Sequence, residues 1–200
     1  MGLDMYISKM PKIKKFSFNE QIGIEKIIQD LDETNIDKYK NNESLKDFIT
    51  LKGEYYKYYS MQTNIGYWRK ANQIHRWFVD NVQDGEDDCD YYYVSKDKLI
   101  ELKELCEEIV QKAKLIDGKI LAYRKYDENG KEIDIFEDGK VIDNTEICRE
   151  LLPTQPGFFF GSTEYDEYYY EDIKETISII NKIFETVDFD NEYVIYTSSW

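Results

Sequence analysis

The residues best suited to chemistry crowd into one short stretch, GYWRKANQIHRWF, from Gly66 to Phe78. It holds the chain's single histidine, two of its three tryptophans and two arginines. Read as one helix ending near Gln83 to Gly85, the stretch has two faces. Tyr67, Ala71, Ile74, Phe78 and Val82 follow the 3.6-residue period and form an apolar stripe suited to a core. Trp68, Asn72, His75 and Val79 step by four, three and four residues along a neighbouring face. Arg69, Lys70 and Arg76 take the rest of the cylinder. Trp68 and nearby tyrosines can stack on a base or ring, while Arg69, Asn72, His75 and Arg76 supply donors, a set suited to a nucleotide or nucleotide-derived signal. The alternative is structural: Trp68 and Trp77 in the core, and His75 bonded to a neighbouring carbonyl.

Two further chemistries are weighed against the residues. His75 with Cys89 or Cys106, oriented by Asn72, has the makings of a thiol nucleophile and its base. Cys106 falls on an apolar helix stripe, however, and the acids around Cys89 raise rather than lower a thiol's pKa. Asp84, Glu86, Asp88 and Asp90 alternate like the opening of a calcium loop. Such a loop needs glycine in its sixth place and glutamate in its twelfth, where this chain has Cys89 and Ser95. The reading is a solvated acidic turn, with no metal and no cofactor.

Charge offers another kind of site. The chain carries 41 acids against 26 basic residues, a net charge of −15, which argues against direct contact with nucleic acid. It suits attraction to a basic protein surface, or simply a well-solvated exterior. Acidic clusters at 84–90, 101–108 and 164–175 can lay carboxylates along one surface in imitation of a phosphate backbone. Tyr91 to Tyr93 and Tyr168 to Tyr170 add side chains favoured at interfaces. The residues expected to meet a partner are Asp84, Glu86, Asp87, Asp88, Asp90, Tyr91, Tyr92, Glu164, Asp166, Glu167 and Tyr168.

The elements that position these groups read as an α+β fold: three to four main helices on a small, mostly antiparallel sheet, in one domain over residues 1–200. Leu3 to Ser8 alternates as a first strand. Asn19 is placed to cap a helix bearing Ile24, Ile27, Ile28 and Leu31. Residues 32–44 form a polar loop, followed by a short helix around Leu45 to Ile49 and an aromatic strand from Glu54 to Tyr59. Ser95 caps a helix with Leu99, Leu102, Cys106, Ile109 and Ala113 on one stripe. Residues 119–143 read as an inserted β-hairpin or meander, turning at Asp127 to Gly130 and again at Glu137 to Gly139. Pro153, Pro156 and Gly157 impose an extended, turning path into Phe158 to Phe160. Ser162 or Thr163 caps a last helix carrying Tyr165, Tyr169, Ile173, Ile177, Ile180 and Phe184, and Tyr193 to Thr197 forms a closing strand. The Gly-Ser-Thr turn can present amides to an anion, but the acids that follow argue against phosphate. Mean hydropathy is −0.67, and no run of about eighteen apolar residues is present, which removes a membrane-spanning helix. No signal-peptide pattern opens the chain, and three cysteines at spacings of 17 and 42 suggest neither a disulfide ladder nor a zinc knuckle. The expected location is the cytoplasm.

MGLDMY at the start, GYWRKANQIHRWFVDNVQDGEDDC, LLPTQPGFFFGSTEYDEYYYEDI and the terminal SSW together resemble a family of small proteins encoded by bacteriophages and prophages. Residues 12–62 and 115–147 look variable or inserted beside that pattern. The resemblance implies a phage accessory protein made in a bacterial cytoplasm, and proteins of that kind often counter host defence. The expectation is an inhibitor without turnover that binds a host defence protein, plausibly a CRISPR nuclease, through its acidic and tyrosine-rich surface. The alternative is a sequestering protein or small enzyme with a nucleotide-like ligand on Trp68, Arg69, Asn72 and His75.

Overall fold

The computed structural model describes the chain apart from Met1, Glu33, Lys40 and residues 46–48, 53, 54 and 59, and gives the backbone alone for residues 49–52 and 55–58. In chain order the elements are β1 (Asp4–Pro11), α1 (Phe18–Gln29), α2 (Ile36–Tyr39), β2 (Ile49–Lys52), β3 (Tyr55–Tyr58), β4 (Thr63–Arg69) and α3 (Asn72–Val82). They continue as β5 (Tyr92–Val94), α4 (Lys96–Lys112), β6 (Leu115–Tyr126), β7 (Glu132–Ile142), α5 (Thr145–Leu151), α6 (Glu167–Thr186) and β8 (Glu192–Ser199). The α+β expectation holds: the main sheet is antiparallel, in the order β4-β1-β8-β5.

The two ends of the chain meet at the centre of that sheet, where Asp4 pairs with Ser199 and Pro11 with Glu192. Side chains on a strand alternate between faces, and here both faces are covered. Leu3, just before β1, and Met5 and Ile7 of β1 join Val194 and Tyr196 of β8 in the large core beneath α3, α4 and α6. Met10 and Ile195 point the other way, toward Ile22 of α1. A strand buried on both sides needs consecutive apolar residues, and Val194, Ile195 and Tyr196 supply them.

Helix starts follow capping chemistry. Ser17, two residues before the expected Asn19, caps α1 in a reciprocal box with Glu20. Ser95 caps α4 as expected, and Leu99, Leu102, Cys106 and Ile109 line its buried stripe. Asp166, rather than Ser162 or Thr163, caps α6 by accepting from the amides of Tyr168 and Tyr169. The 32–44 loop contains the one-turn α2. The expected helix at Leu45 to Ile49 lies partly outside the described residues, and Ile49 opens β2.

Two readings need correction. Gly66 to Arg69 is strand, not helix: β4 pairs with β1, Trp68 lying opposite Met5 and Tyr67 opposite Tyr6. The helix begins only after Lys70, whose φ of +60° breaks the chain direction. The second correction concerns residues 137–142. Glu137 to Gly139 does not turn, and Lys140 to Ile142 continues β7 along β6 as one long hairpin. Gly139 is needed there because the Ile120 side chain folds across it. A Cβ at that position would stand 2.7 Å from Ile120 Cδ1. The single turn, at Asp127 to Gly130, is pinned by the Asp127 carboxylate, which accepts from the amides of Asn129 and Lys131.

Candidate functional site

Three segments distant in sequence converge at the junction of β4 and α3. Leu3 donates its amide to the carbonyl of Phe159 at 2.9 Å, and Lys70 donates to the carbonyl of Leu3 at 2.8 Å. Asn72 then holds the Pro153 to Thr163 loop. Its Nδ2 donates to the carbonyls of Phe160 (3.0 Å) and Ser162 (2.7 Å), and its Oδ1 accepts from the Gln155 amide at 2.9 Å. With 1% of its surface exposed and both amide hydrogens used, Asn72 clamps a loop and has no donor left for a ligand.

His75 is likewise fully committed. Its Nδ1 lies 2.8 Å from the Tyr196 hydroxyl and its Nε2 3.0 Å from Asp87 Oδ2. Burial holds the Tyr196 phenol well above its ordinary pKa, reinforced by the Asp87 charge. The Asp87 carboxylate can only accept, so Nε2–H donates to it, and in the neutral ring Nδ1 is left to accept from the Tyr196 hydroxyl. The other Asp87 oxygen accepts from Trp200 Nε1 at 3.0 Å. Phe160 stands edge-on to the imidazole at 5.2 Å, and Tyr196 stacks on Phe78 at 3.9 Å. Carboxylate, imidazole and phenol form a strut, buried at His75 and Tyr196 and partly exposed at Asp87, that ties the C-terminal residues to α3.

These placements decide what the aromatic segment does. Trp68 is 1% exposed and donates its indole N–H to Thr176 of α6 at 3.0 Å. Trp68, Asn72 and His75 are therefore core groups on two elements and share no open face. Arg69 turns outward to pair with Asp4, and Arg76 pairs with Asp80 on the surface of α3. No thiol reaches His75, whose nitrogens are both occupied. Cys106 and Cys148 are buried; burial pushes the Cys148 thiol up to about 11 and that of Cys106 higher still.

An open cleft lies beside this core, with a volume of about 350 Å³. Arg69, Lys70 and Gln73 form one wall, Gly161 and Ser162 the floor, and Glu164, Tyr168, Asp172 and Glu175 the other wall. The floor can approach because residue 161 is glycine, at φ +90°. A Cβ there would sit 3.0 Å from Cβ of Lys70. Inside the cleft Gln73 Nε2 donates to Asp172 Oδ2 at 3.0 Å. Burial, with Glu175, Asp166 and Glu171 nearby, pushes the Asp172 carboxyl up to about 7 despite the Gln73 bond. A cation entering the cleft would meet a carboxyl that gives up its proton readily at neutral pH.

Several of the acids elsewhere are ion-paired. On α4, Glu101, Glu107 and Glu108 pair with Lys98, Lys103 and Lys112. On the hairpin, Asp117, Asp134 and Asp138 pair with Lys140, Arg124 and Lys119. In the 84–90 segment Asp90 pairs with Lys26, and Asp87 is held by His75. Asp88 accepts from the Asp90 amide and the Tyr92 hydroxyl. Burial, with the Asp88 bond and charge, pushes that Tyr92 phenol up to about 12. Tyr91 donates its hydroxyl to Gln29. Asp84 and Glu86 complete the segment, and neither has an ion-pair partner among the described residues. Glu164, Glu167, Glu171 and Glu175 also make no ion pair among the described residues, and Tyr168 beside them is 60% exposed. Asp166, expected on this surface, is 5% exposed and spent on the helix cap.

Lys70, Gln73, Glu171, Asp172 and Glu175 were missed as site residues. A signal for the acids exists: on α6, Glu167, Glu171 and Glu175 recur every four residues, opposite the buried stripe of Tyr169, Ile173, Thr176, Ile180 and Ile183, and Glu164 lies just before the helix. Among the described residues no three His, Cys, Asp or Glu side chains are arranged to hold a metal ion, and no helix is long and apolar enough to cross a membrane. Comparison with family models, with curated proteins and with solved structures returns no match to this chain.

Proposed function

We propose that this is a phage- or prophage-encoded accessory protein that binds a basic host protein, of the defence class that includes CRISPR nucleases, and blocks it without turnover. The observation that carries the reading is the uneven neutralisation of acid. Glu101, Glu107 and Glu108 on α4 and Asp117, Asp134 and Asp138 on the hairpin have lysine or arginine partners and leave only scattered acids such as Asp97, Glu104 and Glu137 unpaired, whereas Glu164, Glu167, Glu171 and Glu175 lie together without an ion pair among the described residues, beside an exposed tyrosine. An unpaired stripe concentrates the negative field of the chain on one face, which speeds and orients encounter with a basic surface. The committed hydrogen bonds of Asn72 and His75 support binding by surface over a ligand held on the aromatic segment.

The test replaces the four glutamates by lysine and follows protection of a targeted phage in a CRISPR-active bacterium. The reading requires that the native chain protects and that the variant, still folded, does not. Protection that survives the reversal contradicts it.

A further inference from the structure

The acidic cleft has a neighbour. A second groove, of about 450 Å³, lies between the hairpin and the aromatic loop, lined by Leu121, Tyr123, Arg124, Pro156 and Gly157. Gly161 and Ser162 form part of both walls, so groove and cleft adjoin across two small residues. Their chemistry differs. The groove is bordered by Leu121, Tyr123 and Pro156, and its one cation, Arg124, is already paired with Asp134. The cleft adds Asp172 to the unpaired acids Glu164, Glu171 and Glu175, which outnumber its two cations, Arg69 (paired with Asp4) and Lys70.

The groove also borders a strand edge. β6 pairs with β7 alone in a two-stranded sheet, so its outer edge has no strand partner among the described residues, although the register shifts between Leu121 and Tyr123 and leaves the regular edge to either side of Ala122. An unpaired edge offers a ladder of amides and carbonyls to an incoming extended chain. Such a chain alternates its side chains, so one that seats an apolar residue in the groove can direct a neighbour elsewhere.

We infer that the groove and cleft together receive an extended segment of the basic partner. Its backbone adds to the β6 edge, an apolar side chain fills the groove, and a lysine or arginine reaches past Ser162 to Asp172 and Glu175. The inference rests on the reading of this face as a protein-binding surface, and charge complementarity selects the occupant. A poly-anion is repelled by the same acids, and an uncharged segment leaves Glu175 without a partner.

The test is an NMR titration of isotope-labelled full-length protein with the probe peptide acetyl-Val-Arg-Val-Arg-Val-amide, with acetyl-Val-Glu-Val-Glu-Val-amide as control. The expected result is shifts in residues 118–126, 157–164 and 168–175 with the arginine peptide alone. Binding should weaken at least tenfold in Glu175→Lys, an exposed position that keeps the fold, and in the near-isosteric Asp172→Asn. Shifts spread evenly over residues 84–90 and 101–108, or affinity unchanged in both variants, overturn the inference. The two claims fail separately. If the peptide ignores the cleft while the four-lysine variant loses phage protection, this inference falls and the functional reading stands. If the peptide binds as expected but the native chain gives no protection, the surface is assigned and the functional reading falls.

Discussion

Asn72 donates its side-chain amide to the carbonyl of Phe160 at 3.0 Å, joining the start of α3 to a loop 88 residues further along the chain. Ser162 and Gln155 complete the bonding of the same side chain. Asn72→Ala removes three hydrogen bonds and leaves buried carbonyls unpaired, at a cost of roughly 2–4 kcal/mol. Asn72→Asp fares no better, because a carboxylate then faces two carbonyl oxygens. Urea unfolding followed by circular dichroism measures both, and native stability in Asn72→Ala would show that the clamp is dispensable.

His75→Phe leaves the Tyr196 hydroxyl and the Asp87 carboxylate without their shared partner. The expected loss is roughly 2–4 kcal/mol. Asp87→Ala removes the neighbouring link and also releases the indole of Trp200. Groups in one network are not additive, so the double variant loses less than the sum of the singles. An additive pair in a double-mutant cycle would contradict the strut.

Asp166 does for α6 what the sequence assigned to Ser162 or Thr163. Asp166→Ala costs about 1 kcal/mol, and Asp166→Asn, which can still accept from the amides of Tyr168 and Tyr169, costs a fraction of that. Equal losses in thermal unfolding of the two variants would mean that charge, not capping, is what matters there.

Asp172 gives the fold a pH dependence of known sign. Its carboxyl is raised from 3.8 to about 7, so the folded chain holds a proton that the unfolded chain releases. Between those values stability falls as pH rises, by at most about 1.4 kcal/mol per pH unit. Asp172→Asn removes this contribution. Melting temperature plotted against pH from 4 to 8 should decline more steeply for the native chain than for the variant. Parallel curves would contradict the assignment.

What the sequence revealed depended on how local the cause was. The helix at Ser95 is set by its own cap and its own apolar stripe, and both are visible in a window of eighteen residues. Trp68 was misassigned because GYWRKANQIHRWF fits a 3.6-residue period throughout, while the strand assignment depends on pairing with β1, sixty residues away. The partners of His75 sit at positions 87 and 196, beyond any local pattern. The acidic clusters were legible as composition, but their ion pairs were not. Lys98 and Glu101 pair within one helix, whereas Lys119 and Asp138 meet only because the hairpin runs straight through Glu137 to Gly139. Once those pairs are set aside, the stripe on α6 stands out.

The central claim is that this stripe meets a basic host protein, and the most direct measurement is the plating efficiency of a targeted phage on a CRISPR-active host expressing the protein. The account predicts efficient plating with the native chain and restored immunity with Glu164, Glu167, Glu171 and Glu175 changed to lysine. Reversal of Glu101, Glu107 and Glu108 on α4 should leave plating efficient. Equal plating with native and stripe-reversed proteins at matched levels, or loss on reversal of the α4 acids alone, would contradict it.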